Sequence, residues 1–313
     1  MLYNYIMEKN KIFDCVIIGG GPAGITAGIY LKRAGKNVAL LEGGMFGGQV
    51  ATTPTVENYP AVGKILGFEL ATKFYEDLQN CGVKIIYENA KNVDFSSSVK
   101  IIETENSKIL AYSVILAMGV RPRQVNEQIE EKFKGKGISY CATCDGALFK
   151  GKKVAVIGGG KSAFIEAQYL KGLNCDVTLI HRTDKFRVAE YEVENLEKIG
   201  VKIMPYYILT DVFGNNKLEQ IELTNVHNGE KVKIDIDGLF IAVGRVPNSE
   251  LVAGKIKQDD MGFIISDDCN TNISGVFVAG DVRTKNLRQI VTATSDGAIS
   301  ATNAIMYLNN LKQ

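Results

Sequence analysis

Two cysteines separated by two residues could carry redox chemistry. Cys141 and Cys144 form a C-x-x-C pair in the segment YCATCDG. The other four cysteines are scattered singly along the chain: Cys15, Cys81, Cys175 and Cys269. A structural zinc site needs four ligands, whereas this sequence offers no second C-x-x-C and has two histidines. The pair is therefore predicted to be a redox dithiol rather than part of a metal site, and the single cysteines are predicted to be buried, small apolar residues.

A glycine-rich motif follows an apolar, strand-like run near the start of the chain. In FDCVIIGGGPAGITAGIYLKRAGKNVALLEGG, the pattern G-x-G-x-x-G falls on Gly19, Gly21 and Gly24, and Glu42 ends the next apolar run 23 residues after Gly19. Such glycines let the backbone approach a pyrophosphate at a helix N-terminus, while the acid binds a ribose hydroxyl. The segment predicts a Rossmann-like dinucleotide-binding unit.

The same pattern returns 139 residues later, just after the cysteine pair. KKVAVIGGGKSAFIEAQYLKGLNCDVTLIHRTDKFR places Gly158, Gly160 and Ala163 at the three small-residue positions and ends at His181 and Arg182 instead of an acid. Because an arginine there accommodates a 2′-phosphate that an acid would repel, the repeat predicts NADP rather than NAD. A purely architectural Rossmann unit is the alternative.

Matching segments indicate where the chain crosses between domains. SVILAMGVRPR (113–123) and GLFIAVGRVPN (238–248) have the same strand-glycine-proline order. Near the end of the chain, TNISGVFVAGDV delivers Gly280 and Asp281 into a loop before an apolar-periodic helix. An acid beside a glycine at a strand end suits the ribityl or phosphate groups of a flavin, although an ordinary strand-to-turn acid is equally consistent with the pattern.

Length and composition agree with two domains. A chain of 313 residues with 46% hydrophobic residues can bury two cores. We expect an α/β fold with two Rossmann-like dinucleotide-binding domains, the second inserted in the first. Residues 1–120 and 249–313 are predicted to form one domain, and residues 121–248 the other.

The charge pattern does not favour a nucleic-acid or membrane partner. The chain has 36 basic and 35 acidic residues, dispersed along the sequence, for a net charge of +1. The segment MLYNYIMEKNKIFD lacks the apolar core of a signal peptide, and no window reaches the roughly 18 apolar residues of a membrane span. We expect a cytoplasmic protein that binds small molecules or another protein. His227, in the turn HNGE, is expected at an exposed hairpin tip.

Together these motifs resemble the low-molecular-weight bacterial thioredoxin reductases, flavoproteins of the pyridine nucleotide-disulfide oxidoreductase class. The resemblance runs almost end to end and rests on GGGPAG, GGQ, VENYP, CATCDG, GGGKSA, HRTDKFR, GVFVAGDV and RQI. CATCDG is highly specific to this family, whereas GGGPAG alone is shared by many flavoproteins. The resemblance implies that the discontinuous domain binds FAD, that the inserted domain binds NADP and carries the redox disulfide, and that the protein is a homodimer.

The resemblance also implies roles for individual residues. FAD would be bound by residues from several segments: Gly19, Gly21, Gly24, Glu42, Gly48, Gln49, Asn58, Gly280, Asp281, Arg288, Gln289 and Ile290. NADPH would be bound by residues of the second motif: Gly158, Gly160, Ala163, His181, Arg182 and Arg187. In the family's mechanism, electrons pass from NADPH through the flavin to the Cys141–Cys144 disulfide and on to thioredoxin. Cys144 would be the flavin-side sulfur, Cys141 would attack the thioredoxin disulfide, and Asp145 would donate or accept the proton.

The NADPH signature departs from the family pattern at three positions. Thr183 stands at the second arginine of H-R-R-x-x-x-R, although Arg187 is retained; Lys161 replaces a common Asp or Asn; and Ile165 replaces the first Glu of EEA. The leading interpretation is an NADPH-dependent thioredoxin reductase. The alternatives are a ferredoxin-dependent flavin enzyme with a degraded NADPH site, an NADH-preferring variant, and a non-catalytic flavin redox sensor.

Overall fold

A computed structural model of the chain describes residues 12–53 and 55–311. The segment on which the absence of a signal peptide was predicted, residues 1–14, lies almost entirely outside the described residues. None of the helices within them is both long and apolar enough to cross a membrane.

Strands and helices alternate along most of the described chain. The strands are β1 (Phe13–Ile18), β2 (Val38–Leu41), β3 (Thr55–Val56), β4 (Ile65–Leu66), β5 (Lys84–Ile86), β6 (Asn92–Asp94), β7 (Lys100–Glu103), β8 (Lys108–Leu116), β9 (Val120–Pro122), β10 (Ile138–Ser139), β11 (Lys153–Ile157), β12 (Asp176–His181), β13 (Lys202–Pro205), β14 (Tyr207–Phe213), β15 (Gln220–Asn225), β16 (Lys231–Asp235), β17 (Gly238–Ile241), β18 (Arg245–Pro247) and β19 (Val276–Val278). The α-helices are α1 (Pro22–Arg33), α2 (Gln49–Thr52), α3 (Gly67–Asn80), α4 (Glu127–Glu130), α5 (Ala142–Asp145), α6 (Lys161–Gly172), α7 (Glu190–Lys198) and α8 (Ile290–Asn310). Short 3-10 helices cover Gly146–Phe149, Glu250–Val252 and Gly280–Val282.

The chain divides into two compact units. One comprises the described residues up to Arg121 and the described residues from Val246, and the other comprises Pro122–Arg245. The two connecting strands, β9 and β18, pair with each other. The assignment of the first unit to FAD and of the second to NADP stays a prediction.

The first unit is built on a seven-stranded sheet in the order β5-β2-β1-β8-β7-β6, with β19 also paired to β8. The strands β5, β2, β1, β8 and β19 are parallel, whereas β7 and β6 are antiparallel to their neighbours. Residues 114–116 of β8 lie between β1 and β19. Cys15 and Ile17 on β1 pack in one buried cluster with Ala27 of α1 and Ala301 of α8. The alternate residues of β1, Val16 and Ile18, belong to a second buried cluster. The central strand is therefore apolar on both faces, as expected of a covered parallel sheet.

The second unit contains a five-stranded parallel sheet in the order β10-β17-β11-β12-β13 and an antiparallel sheet in the order β14-β15-β16. Val154 and Val156 of β11 pack against Ala163, Ala167 and Leu170 of α6. The units β1-α1-β2 and β11-α6-β12 repeat the strand, glycine turn, helix and strand expected from the sequence. The predicted α/β fold with two Rossmann-like units, the second inserted in the first, is confirmed.

Most predictions for single polar and sulfur side chains are also confirmed. His227 is exposed in the turn between β15 and β16. Three single cysteines, Cys15, Cys175 and Cys269, are buried. Burial raises the thiol pKa of Cys15 and of Cys269 to about 12, so both thiols stay protonated. The burial prediction is wrong for Cys81, which is half-buried because it caps the end of α3.

Candidate active site and dinucleotide sites

The glycines of the first motif do not all serve the same purpose. Gly19 has φ +112°, and a Cβ there would collide with the Ala117 carbonyl oxygen; a Cβ on Gly24 would collide with the Gly19 carbonyl oxygen. The fold itself therefore requires these two glycines. Gly21, by contrast, has φ −78°, and an added Cβ would meet no described atom within 4 Å. Since the fold does not require this glycine, the open space at the N-terminus of α1 fits the approach of a pyrophosphate.

Glu42 is held beside this loop by two backbone hydrogen bonds. Its Oε2 accepts from the Gly20 N–H and its Oε1 from the Gly44 N–H, both at 2.7 Å. Each carboxylate oxygen has a second lone pair and can also accept a ribose hydroxyl. The acid predicted at the end of β2 is thus fixed in position next to the glycine turn.

Two segments distant in sequence lie against the first glycine loop. The Gly47 N–H donates to the Gly20 carbonyl oxygen at 2.8 Å, and a Cβ on Gly48 would lie 3.6 Å from the Cα of Gly21. Gly280 has φ +78°, and its added Cβ would lie 2.9 Å from the Cβ of Ala23. The structure therefore brings three of the segments predicted to bind FAD to one place.

Several of the remaining residues predicted to bind FAD form hydrogen bonds with one another or with the backbone. The Asn58 amide donates to Gln289 Oε1 at 3.0 Å, and Gln289 caps α8, which begins at Ile290. Arg288 donates to the carbonyl oxygen of Asp281 at 3.3 Å. The Gln49 side chain instead donates to the Val120 carbonyl oxygen at 2.7 Å.

Asp296 supports the Gly280 turn, a role that the sequence analysis missed. Its carboxylate accepts the Gly280 N–H at 3.0 Å and forms ion pairs with Arg283 at 3.2 Å and Lys285 at 2.7 Å. Asp296 is 6% exposed. The signal was present in the sequence as an isolated acid among the apolar and small residues of the last helix, IVTATSDGAISA.

The second motif divides its glycines in the same way. Gly158 has φ +157°, and its added Cβ would lie 2.8 Å from the Cβ of Ala163, so these two positions must stay small. A Cβ on Gly160 would come no closer than 3.7 Å to any described atom, and that atom is Nη2 of Arg187. The N-terminus of α6 is thus open to a phosphate, and a guanidinium group lies beside it.

The basic residues of the second motif gather around the imidazole of His181. Burial lowers the pKa of His181, and the charge of Arg182, followed by that of Arg187, lowers it further. The Arg187 N–H donates to the Gly159 carbonyl oxygen at 2.7 Å, which fixes this residue next to the loop. Thr183 Oγ1 accepts the Lys185 N–H at 3.3 Å within a local turn. The Arg187 guanidinium therefore lies beside the loop, the charge of Arg182 acts on His181, and Thr183 adds no charge.

Cys141 and Cys144 form a disulfide with a Cα–Cα distance of 5.3 Å. Cys141 caps the N-terminus of α5, and its carbonyl oxygen accepts the N–H groups of Cys144 and Asp145 at 3.2 and 3.1 Å. The side chain of Cys144 is exposed and that of Cys141 is half-buried. Sulfur at a helix N-terminus is electrostatically favoured as a thiolate, the form that exchanges disulfides.

Asp145 is connected to the disulfide segment through Ser139. Ser139 Oγ donates to Asp145 Oδ2 at 2.6 Å and accepts the Cys141 N–H at 3.1 Å. Asp145 Oδ1 is buried, with no hydrogen-bond partner among the described residues. Burial raises the pKa of Asp145, and the Ser139 hydrogen bond offsets this in part. The carboxyl group can therefore hold a proton at a higher pH than an exposed aspartic acid.

Comparison with known proteins agrees with this geometry. The profile of the family described as pyridine nucleotide-disulphide oxidoreductase matches residues 13–297. The chain belongs to this family. The thioredoxin reductase of Bacillus subtilis is 37% identical over 310 residues, which cover 98% of each chain.

Two further matches to this oxidoreductase are similarly complete. The 34.2 kDa protein in the rubredoxin operon of Clostridium pasteurianum is 40% identical over 305 residues, covering 96% of this chain and 99% of that protein. The crystal structure of thioredoxin reductase from Streptococcus pyogenes is similar with a TM-score of 0.91 and 37% identity, over 96% of this chain and 99% of that one. The resemblance to bacterial thioredoxin reductases is confirmed.

A second carboxylate, whose role was also not predicted from the sequence, fixes the redox segment Tyr140–Asp145 of this oxidoreductase. Glu130 is 0% exposed; its Oε2 accepts the Tyr140 hydroxyl at 2.6 Å and its Oε1 accepts the Asn126 N–H at 2.7 Å. Tyr140 directly precedes Cys141, so the contact fixes the chain where it enters the disulfide. Burial, followed by the hydrogen bond to Glu130, raises the pKa of Tyr140 well above its usual value.

Proposed function

We propose that this oxidoreductase reduces the disulfide of thioredoxin with electrons from NADPH, by way of bound FAD and the Cys141–Cys144 pair. The observation that carries the proposal is the disulfide at the start of α5, in the same unit as the second glycine loop. A carboxyl group that can hold a proton, Asp145, lies next to Cys144 in the chain. Relatives named thioredoxin reductase, 37% identical over nearly the whole chain, support the same activity.

The first unit has features that fit FAD. The open space at Gly21, the N-terminus of α1 and the fixed carboxylate of Glu42 match the pyrophosphate and ribose of a dinucleotide. FAD, when bound, supplies a carrier that accepts two electrons from a nicotinamide and delivers them to a disulfide. We assign its binding to the residues around Gly21 and to the Asn58, Gly280 and Arg288 segments.

The thiol steps follow from the roles that the family resemblance implies for the two sulfurs. Two electrons and one proton break the S–S bond and leave Cys144 as a thiol and Cys141 as a thiolate. That thiolate attacks a sulfur of the thioredoxin disulfide and forms a mixed disulfide, and the departing thioredoxin sulfur takes a proton. Cys144 then loses its proton and attacks the Cys141 sulfur, which restores the disulfide and releases reduced thioredoxin, whose second sulfur takes up that proton. Asp145 is placed to exchange the proton that the thiols gain and lose.

The second unit has features that fit NADPH. Arg187 lies beside the open loop at Gly160 and the charge of Arg182 acts on His181, so we assign both guanidinium groups to the 2′-phosphate. Because Thr183 contributes no charge, we propose that NADPH is preferred over NADH by a smaller margin than a complete signature would give. Lys161, the first residue of α6, can supply part of the missing charge.

Reduced ferredoxin is a second candidate for the electron donor, and the substitutions at Thr183 and Lys161 are the observations that favour it. We also propose thioredoxin as the protein partner, a homodimeric assembly and a cytoplasmic location, because the family resemblance implies the first two and the sequence pattern the third.

Anaerobic titration of the FAD-containing protein with NADPH, NADH or reduced ferredoxin tests the donor. NADPH is expected to remove the visible absorbance of bound FAD at lower concentration than NADH. If neither nucleotide changes the absorbance while reduced ferredoxin does, the NADPH assignment is wrong.

A further inference from the structure

Glu166 lies on α6 and contacts the redox segment. Ala163 and Ala167 of the same helix pack in one buried cluster with Ala142, and the backbone N–H of Ala142 stabilises the charged form of the Glu166 carboxyl group. That N–H belongs to the peptide that joins Ala142 to Cys141. The other carboxyl oxygen, Oε2, is buried without a hydrogen-bond partner among the described residues. A group that can carry a full negative charge is therefore held one peptide away from a redox sulfur.

The surroundings of Glu166 make its carboxyl group gain and lose its proton near neutral pH. Burial raises the pKa of its carboxyl group to about 7, while the positive charge of Arg245 and the Ala142 hydrogen bond both act to lower it. On the adjoining α5, Asp145 is the titratable residue besides the cysteines, and its carboxylate accepts a hydrogen bond from Ser139. On α6 itself the other charged side chains are Lys161 and Lys171. Glu166 is thus the acid bonded directly to the first turn of α5.

On the premise that the Cys141–Cys144 pair is the redox group of the proposed function, we propose that Glu166 is a positioning residue that sets the midpoint potential of this pair. Reduction breaks the S–S bond, adds two electrons and, where one sulfur remains a thiolate, takes up one proton. A carboxylate bonded to the peptide next to Cys141 repels that thiolate and so favours the disulfide. Removing the negative charge stabilises the reduced pair and raises its midpoint potential.

The test compares the wild-type FAD-containing protein with Glu166→Gln. Glutamine keeps an oxygen that can accept the Ala142 N–H, but it carries no charge. Each protein is equilibrated anaerobically in buffers of reduced and oxidised dithiothreitol, and free thiols are then labelled with a maleimide. Mass spectrometry of the peptide that contains both cysteines gives the reduced fraction. Glu197→Gln, which removes an exposed acid on α7, is the matched control.

At about pH 8, Glu166→Gln should shift the equilibrium with dithiothreitol toward the dithiol by about tenfold, which corresponds to about 30 mV for a two-electron couple. At about pH 6, where the wild-type carboxyl group is already mostly protonated, the shift should be less than about threefold. Glu197→Gln should match the wild type at both pH values.

An unchanged equilibrium at about pH 8, or an equal shift at both pH values, would overturn the proposal. Glu166→Ala also removes the charge and must shift the equilibrium in the same direction, so either folded variant decides the matter. Because the equilibration needs neither NADPH nor thioredoxin, failure of this proposal can be distinguished from failure of the proposed function. A protein that shows the shift but cannot reduce thioredoxin would retain this role for Glu166 and lose the proposed activity.

Discussion

The Ser139 hydroxyl connects the Asp145 carboxylate to the backbone of Cys141. The O–H group donates to Asp145 Oδ2 at 2.6 Å, and its oxygen accepts the Cys141 N–H at 3.1 Å. A proton acceptor and one end of the disulfide are therefore held by one side chain of the same unit. Burial raises the pKa of Asp145, and the Ser139 hydrogen bond lowers it in part because it stabilises the charged carboxylate.

Asp145→Asn should lower the turnover number for thioredoxin reduction by about 100-fold or more, since a positioned general acid-base group contributes about 10² to 10⁴. Ser139→Ala should instead retain much of the activity. Loss of its hydrogen bond raises the pKa of Asp145, so the limb of the pH-rate profile that reports this acid should move to higher pH. Profiles of the two variants and the wild type check both statements, and an unmoved limb in Ser139→Ala would show that Asp145 does not produce it.

Gly21→Val should abolish FAD binding without unfolding the protein. The position has φ −78° and open space around it, so the fold accepts a side chain that the pyrophosphate cannot. The measurement is the ratio of flavin to protein after reconstitution, together with the melting curve. Gly172→Val is the matched control, because a Cβ there also meets no described atom within 4 Å. A Gly21→Val protein that retains full flavin would contradict the assignment of this loop.

Cys141→Ser and Cys144→Ser should each reduce thioredoxin turnover by more than about 100-fold, because neither variant can form the internal disulfide. They should differ in their remaining thiol. Cys144 is assigned to the flavin side, so the Cys141→Ser protein should show a perturbed flavin spectrum when its remaining thiol ionises. Cys81→Ser, which alters the half-buried single cysteine, should leave turnover nearly unchanged. Equal losses in Cys81→Ser and Cys141→Ser would refute the assignment of the redox pair.

Thr183→Arg should lower the KM for NADPH by about tenfold or more, because one charge-assisted contact to the 2′-phosphate contributes about 1.5 to 3 kcal/mol. The KM for NADH should barely change, since NADH has no phosphate at that position. Thr183→Gln provides the control: it removes the same hydroxyl bonded to Lys185 but adds no charge. Steady-state kinetics with both nucleotides measure the effect, and an equal gain for NADH would argue against a 2′-phosphate site here.

The pKa of Glu166 also predicts how stability depends on pH. Burial on folding raises the pKa of this carboxyl group from its ordinary value of 4.5 to about 7. Between these values the folded protein holds a proton that the unfolded chain has released. The resulting stability is full below about pH 4.5 and is lost as pH rises through about 7. The melting temperature of Glu166→Gln should therefore fall less than that of the wild type between about pH 5 and about pH 8. An equal fall in melting temperature for the two proteins over this pH range would show that Glu166 does not titrate in it.

The parts of the fold that follow from local patterns could be predicted from the sequence. Gly19, Gly24 and Gly158 have neighbours fixed by the strand-turn-helix unit itself, so their spacing predicted both Rossmann-like units. Prediction of the disulfide required the family resemblance, because a C-x-x-C motif alone does not establish which partners its sulfurs have.

The supporting carboxylates could not be found in the same way. Three carboxylates contact residues on other elements: Glu130, Glu166 and Asp296. Each is a polar residue in a segment whose sequence is otherwise typical of an ordinary helix or helix end. Their partners are known only once the chain has folded. Cys81 was misjudged for a related reason, since the apolar character of cysteine does not reveal that the residue caps a helix at the surface.

The most direct test of the proposed activity counts thiols formed in thioredoxin under anaerobic conditions. The FAD-containing protein, an excess of oxidised thioredoxin and a limiting amount of NADPH are mixed, and the thiols of thioredoxin are then labelled and counted. We expect one thioredoxin disulfide to be reduced for each NADPH oxidised, and none by the Cys141→Ser variant. Oxidation of NADPH without new thioredoxin thiols, or equal thiol formation by Cys141→Ser, would contradict the proposed function.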